Sequence, residues 1–224
     1  MIRSNWHYEF QQGTPEWIAY RAGRITGTGL EAVMAGGSGV TRRNYMFRLM
    51  EEQDTGQPKK EKFTSQAMAN GNERQPEAQR AYEDSLDVIV ETVSFIDHPT
   101  IPMFGVSPDG IVSGDPYRIG LELKCPELAT FFDRVHAVNL VKGEKAVIDR
   151  GYNLQCHGLM ECAGLEAVDF VNWFPGHPPL IQRIHRDQKL INEMVQAVKL
   201  FQEEMEEKRA EFKKAGFTWL GRAS

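Results

Sequence analysis

The sequence predicts an α/β fold. Three observations carry that expectation: β-rich segments clustered between Val88 and Cys125, helix-forming stretches on either side of them, and an amphipathic stripe over Asp187–Ala215. The chain has 224 residues, 41% hydrophobic and 25% charged, which suits one large domain with its own apolar core.

The N-terminal part, residues 14–86, reads mainly as helix. Thr14-Pro15-Glu16 is a helix start: a capping hydroxyl, proline at the first helical position, an acid next. That helix carries Trp17, Tyr20 and Arg21. A second is expected from Thr26–Thr28 through Leu30, Val33 and Met34, broken by the glycines that follow, and a third over Arg43–Gln53. The polar stretch Asp54–Lys62 reads as a surface loop, and Glu73–Leu86 as a fourth helix.

The middle part, residues 87–186, holds the strands. Val88–Val93 is rich in β-branched residues. Met103–Ser107 leads into the turn Ser107-Pro108-Asp109-Gly110, Ile111 and Val112 resume a strand, and Ser113–Pro116 turns again. Ile119–Cys125 is the next strand, closed by Pro126. A helix over Lys145–Cys162 and strands at Ala167–Phe174 and Leu180–Ile184 follow. In the C-terminal segment Leu190, Met194, Val198, Phe201, Met205 and Phe212 recur at helical spacing, the pattern of a long helix packed on its own core.

Several function classes drop out on composition. No apolar run is long enough to cross a bilayer, and the polar, aromatic start is unlike a secretory signal, so a cytoplasmic protein without a membrane partner is expected. Cys125, Cys156 and Cys162 form no CxxC pair and are an odd number, which suits reduced thiols rather than a disulfide framework or a zinc site. An iron–sulfur cluster needs four such ligands. The glycine-rich Gly36–Thr41 lacks the Lys-Ser/Thr ending of a nucleotide-binding loop. The six histidines show no metal-ligand spacing. A net charge of −5 argues against a protein that coats nucleic acid. Between Ile18 and Met50, however, five arginines (Arg21, Arg24, Arg42, Arg43, Arg48) face one acid, a candidate phosphate-facing surface.

The most informative segment is Gly120-Leu121-Glu122-Leu123-Lys124-Cys125-Pro126. Strand alternation sends Leu121 and Leu123 to one face, and Glu122 and Lys124 to the other. A carboxylate and an ammonium inside an apolar strand cost desolvation energy that a sheet does not require. A plain ion pair remains one reading. Asp109, one turn earlier, can reach Glu122 from an adjacent antiparallel strand. Two carboxylates at one point suit a hard divalent cation, Mg²⁺ or Mn²⁺, which would polarise a phosphoryl oxygen. Lys124 would then position or deprotonate a water, or neutralise charge on the phosphate.

Asp109 followed by Glu122-Leu123-Lys124 resembles the PD-(D/E)xK nuclease signature. The phrases QGTPEWIAYRAGRITGT, ANGNERQPEAQRAYE, SPDG, GLELKCP and GYNLQ stand in the order, and at about the spacing, of the lambda-exonuclease-like viral recombination exonucleases. This resemblance spans Gln12 to roughly Phe174. It implies a restriction-endonuclease-like core, a central mixed β-sheet flanked by helices, in a single nuclease domain over residues 1–224. It implies a Mg²⁺-dependent 5′→3′ exonuclease acting on linear double-stranded DNA ends, a ring-shaped homotrimer, and a single-strand annealing recombinase as partner, in a bacterial cell hosting a phage or prophage.

Carried over residue by residue, Asp109, Glu122 and the Leu123 carbonyl correspond to metal ligands, and Lys124 to the catalytic lysine. Tyr152 and Gln155, three apart on one helix face, correspond to active-centre positions. Arg21, Thr28 and Ser107 correspond to a 5′-phosphate pocket, Met68 to an apolar wedge at the duplex end, and Arg42 or Arg43 to a DNA-contacting cation. One position departs from the family: Gln75 stands where a glutamate is usual, so one strong metal site and a weaker second are expected. Two alternatives remain at this point: an endonuclease with the same centre but no need of an end, and a non-catalytic end-binding subunit.

Overall fold

The computed structural model describes residues 4–37, 39–59, 66–113, 119–140 and 147–217. The chain forms two compact units that interleave along the sequence. One comprises Met1–Lys60, Ser94–Ser107 and Asp187–Ser224; the other comprises Glu61–Val93 and Pro108–Arg186.

The first unit contains a small antiparallel sheet ordered β1 (Trp6–His7), β3 (Phe95–Asp97), β4 (Gly105–Val106). Around its core lie α1 (Pro15–Arg21), α2 (Leu30–Met34), α3 (Val40–Thr55) and α7 (Gln188–Lys214). Helix α1 starts as expected, with Thr14 Oγ1 accepting from the Trp17 N–H at 3.4 Å. A 3₁₀ turn, Gly27–Gly29, precedes α2. Gly29 is required by close approach: a Cβ there would sit 1.8 Å from the Tyr45 hydroxyl. Helix α7 buries Met194, Val198, Phe201 and Met205 of the expected stripe. Ile191 replaces Leu190 on the buried face, and Phe212 is half-buried against Phe47.

The second unit is a mixed sheet ordered β2 (Ile89–Glu91), β5 (Gly110–Ser113), β6 (Ile119–Lys124), β7 (Ala167–Asn172), β8 (Leu180–His185). Only the β6–β7 pair is parallel; the others are antiparallel. A parallel pair needs a long crossover. That crossover carries α5 (Leu128–Leu140) and α6 (Arg150–Ala163). Alternation sorts the faces of β6. Leu121 and Leu123 join Ala78 and Tyr82 of α4 (Gln66–Leu86) in one apolar cluster. Gly120 lies on the other face, where a Cβ would come within 2.8 Å of Leu159 on α6.

Some expectations shift. Helix α4 begins at Gln66 rather than Glu73, running through Gly71 and Pro76. Tertiary ties hold this stretch against its low propensity: Asn70 and Arg74 both bond Glu127. The expected turn over Ser113–Pro116 and the start of the helix at Lys145 fall largely outside the described residues. Strands β1 and β3 and helix α5 were not anticipated.

Candidate active site

Strands β5 and β6 pair with Gly110 opposite Leu121 and Ile111 opposite Gly120. One further step of that register sets Asp109 opposite Glu122, as the sequence spacing requires. The approach is tight at the adjoining glycine: a Cβ on Gly110 would meet Val90 Cγ1 at 2.1 Å. Asp109 is fixed from two sides. Its Oδ2 accepts the Leu123 N–H at 2.6 Å, and its Oδ1 accepts an amide N–H of Gln75 at 2.7 Å. Glu122 is buried, and its Oε1 lies 2.5 Å from Lys124 Nζ.

The electrostatics follow from two carboxylates facing one ammonium. Burial, reinforced by the Glu122 charge, pushes the Asp109 carboxyl up to about 7, against the smaller opposing pull of Lys124. For Lys124, burial alone would depress the ammonium. The negative charges of Glu122 and Asp109 outweigh it and hold the lysine above its usual range. Lys124 is therefore a cation here, able to neutralise phosphate charge but not to take up a proton. Whatever neutralises the carboxylates lowers that barrier.

The backbone adds an oxygen. The Lys124 carbonyl accepts the Trp173 N–H, on the β7 side. Carbonyls alternate along a strand, so that of Leu123 points to the β5 side, the side of Asp109. Two carboxylates and a carbonyl make a hard-oxygen donor set, and both carboxylates are buried beside a single ammonium, so these residues fit a divalent cation. Among the described residues no group of three or more His, Cys, Asp or Glu could hold a metal ion, so this centre offers two carboxylates and a backbone carbonyl and no third acidic side chain. Gln75 reaches this centre, as its position predicts, but as a hydrogen-bond donor to Asp109.

From α6 the Tyr152 ring lies 5.1 Å from Lys124 Nζ and 5.5 Å from the Phe170 ring. Gln155 stands one turn further on, half-buried. Sequence reasoning missed Arg134 and Asn172. The guanidinium of Arg134 is 5.4 Å from the Tyr152 ring and donates to Asn172 Oδ1; Asn172 is wholly buried, paired in register with Lys124. The spacing of Leu128, Phe131, Phe132 and Val135 would have placed Arg134 on a helix. His157 is buried, its Nδ1 2.8 Å from the Asn153 carbonyl of its own helix.

The first unit brings two of the residues expected at a phosphate pocket, Arg21 and Ser107, to one indole. The Arg21 guanidinium stacks 3.9 Å from the Trp17 ring, and Trp17 Nε1 donates to Ser107 Oγ at 3.0 Å and to the Ser94 carbonyl at 3.1 Å. Trp17 thus ties Arg21 to Ser107. Thr28 is held by its own neighbour, its hydroxyl 3.2 Å from that of Thr26. The two candidate loop cations separate clearly. Arg42 is buried, bonded to both Glu204 oxygens at 2.6 and 3.0 Å and 4.8 Å from the Phe201 ring; Arg43 is exposed. The side chain of Met68 lies outside the described residues.

Comparison with known proteins identifies the family and the fold. Residues 16–166 match the YqaJ-like viral recombinase domain. The alkaline exonuclease LHK-Exo of Laribacter hongkongensis aligns at 31% identity with a TM-score of 0.78, covering 91% of this chain and 98% of that one. Its complex with dAMP aligns at 33% identity with the same TM-score and coverage. A phage related exonuclease from Haemophilus somnus 129PT shares the fold at a TM-score of 0.63 and 13% identity, over 84% of this chain and 96% of its own. Among curated proteins none matches. The chain belongs to the YqaJ-like viral recombinase family and has the PD-(D/E)xK-type fold of its alkaline exonucleases.

Proposed function

We propose that the protein is a Mg²⁺-dependent 5′→3′ exonuclease that digests one strand of linear double-stranded DNA from a 5′-phosphorylated end. The observation that carries this reading is the convergence of Asp109, Glu122 and Lys124 at one buried point between β5 and β6. The relative's complex with dAMP supports a mononucleotide product. The same reading takes Mn²⁺ as a substitute ion, a homotrimer as the working assembly, and a single-strand annealing recombinase as partner in the cytoplasm of a phage-bearing cell.

Asp109, Glu122 and the Leu123 carbonyl would hold the ion, which when bound would polarise the scissile phosphate. Lys124 neutralises charge that grows on the phosphate oxygens. Tyr152 limits where the ammonium can move, through its ring face. Gln155 is assigned to the reacting phosphate. Arg21, with the hydroxyls of Ser107 and Thr28, is assigned to the terminal 5′-phosphate, where a guanidinium and two donors form charge-assisted hydrogen bonds. Arg43, rather than the occupied Arg42, is the DNA-contacting cation. Gln75 donates to Asp109 without needing a second cation beside it, which favours one strong metal site.

The test uses three substrates with Mg²⁺: linear duplex with a 5′-phosphate, the same duplex with a 5′-hydroxyl, and a closed circle. The first should be digested, the second more slowly, the third not at all. Cutting of the circle would replace this reading with an endonuclease.

A further inference from the structure

We propose that Phe132, Phe174 and His177, bordered by Arg74, form a platform on which unpaired bases of a DNA strand stack beside the catalytic strand; this rests on the exonuclease reading. Phe132 is 48% exposed and Leu128, one turn earlier on α5, 39%. The Phe132 ring stands edge-on to His177 at 5.3 Å, and the Phe174 ring is 6.2 Å from the same imidazole. Buried Phe131 supports both Phe132 and His177, at 5.8 and 5.6 Å. The Arg74 guanidinium lies 4.9 Å from the Phe174 ring.

Two connections join this cluster to the catalytic centre. Phe174 follows Trp173, whose N–H donates to the Lys124 carbonyl at 2.9 Å. Arg74 precedes Gln75, which bonds Asp109, and its Nη1 donates to the Pro126 carbonyl at 3.5 Å, two residues past Lys124. Ring faces and a planar guanidinium stack on any base regardless of sequence. The Arg74 charge is matched by Glu127, 3.5 Å away, and Asp133 is exposed on the same stretch, so the cluster favours the base face over the phosphate backbone as its ligand class. A base leaving the duplex at the cutting site loses its stacking, and a ring face there restores it. This continuity with the catalytic strand selects unpaired bases over a second copy of the chain as occupant.

The test measures binding in EDTA, by fluorescence anisotropy, of a thymidine oligonucleotide and of an abasic deoxyribose-phosphate oligomer of equal length. Wild type should prefer the base-bearing strand. Phe132→Ala should shrink that preference about fivefold or more, and Phe132→Trp should keep it. Equal affinity of wild type for both oligomers, or an unchanged ratio in Phe132→Ala, overturns the platform. A changed sedimentation mass of Phe132→Ala with an unchanged ratio also overturns it and makes this face a seam between copies. Failure of the exonuclease reading is separate: it would leave linear duplex intact with Mg²⁺, whereas failure of the platform alone leaves digestion in place.

Discussion

In the first unit buried Arg42 and half-buried Arg24 and Arg209 are each matched to an acid, whereas in the second two buried carboxylates share one ammonium. In the first, Arg42 pairs with Glu204, Arg209 with Asp54 and Arg24 with Asp97. Each is a cation matched to an acid, the arrangement expected where charge serves structure. In the second, Asp109 and Glu122 share one ammonium, and burial, reinforced by the Glu122 charge, raises Asp109. That unit can also pair a buried acid fully: wholly buried Asp169 takes both an N–H of Arg183 at 2.8 Å and the Tyr82 hydroxyl at 2.8 Å. The mismatch at Asp109 is thus local, and it marks the site better than the number of charges does.

The sharpest way to break this contrast is Asp109→Asn. It removes one of two opposed carboxylates, and Gln75 can turn its amide oxygen toward the new donor. Hydrolysis of linear duplex should fall by at least about 10²–10³-fold. The metal-free protein should nevertheless gain about 1 kcal/mol, seen as a melting temperature roughly 2–4 °C higher. Loss of both stability and activity would show that Asp109 serves packing. Gln75→Glu tests the same balance from the other direction. A third carboxylate beside Asp109 should lower metal-free stability by about 1 kcal/mol and enlarge the stabilisation by Mg²⁺, both readable in one melting series.

Next in size is Arg21→Ala. Arg21 is stacked on Trp17, whose indole N–H donates to Ser107. Its loss should lower the rate on 5′-phosphorylated duplex by about 10- to 100-fold, the scale of a charge-assisted hydrogen bond. The rate on 5′-hydroxyl duplex should barely change. A uniform drop on both substrates would remove Arg21 from the phosphate pocket.

The strand Ile119–Lys124 and the stripe of α7 were legible because alternation and the helical period are local patterns of side-chain polarity. Asp109 opposite Glu122 was legible for a similar reason, since few residues separate the two segments and the hydrophobic pattern specifies the register of an antiparallel pair. Strands β1 and β3, of two and three residues, are too short to show a period. The occupation of Arg42 by Glu204 was hidden because the partner stands 162 positions away, on another helix. Tyr152 and Gln155 carried no signal of their own; only the resemblance singled them out, and the cation beneath the Tyr152 ring supplies the physical reason for one of them.

Arg42 and Arg43 turn the contrast between paired and unpaired charge into neighbouring substitutions. Arg42→Ala leaves Glu204 unmatched but half-exposed, so it should cost about 1 kcal/mol of stability and leave the salt dependence of DNA binding as it was. Arg43→Ala should do the reverse: stability unchanged, and the slope of log affinity against log salt reduced by about 1. The same slope in both variants would assign neither residue to DNA.

The smallest expected effect belongs to Tyr20, whose hydroxyl donates to Asp97 Oδ2 at 2.5 Å in the first unit. Burial, and then that hydrogen bond, push the phenol from 10.0 up to about 12. The folded state therefore keeps a proton that the unfolded chain releases first. Its contribution to stability is complete below about pH 10 and is lost as pH rises toward 12. Tyrosine absorbance titration should show one phenol fewer ionising near 12 in Tyr20→Phe, and the variant's stability should decline less steeply across that window. If the phenol missing from the variant is one that ionises near 10 instead, the Tyr20–Asp97 contact does not persist in solution. Arg24 and His7 would then remain as carboxylate partners of Asp97, and the first unit would have one matched charge held less firmly than the buried Arg42 pair.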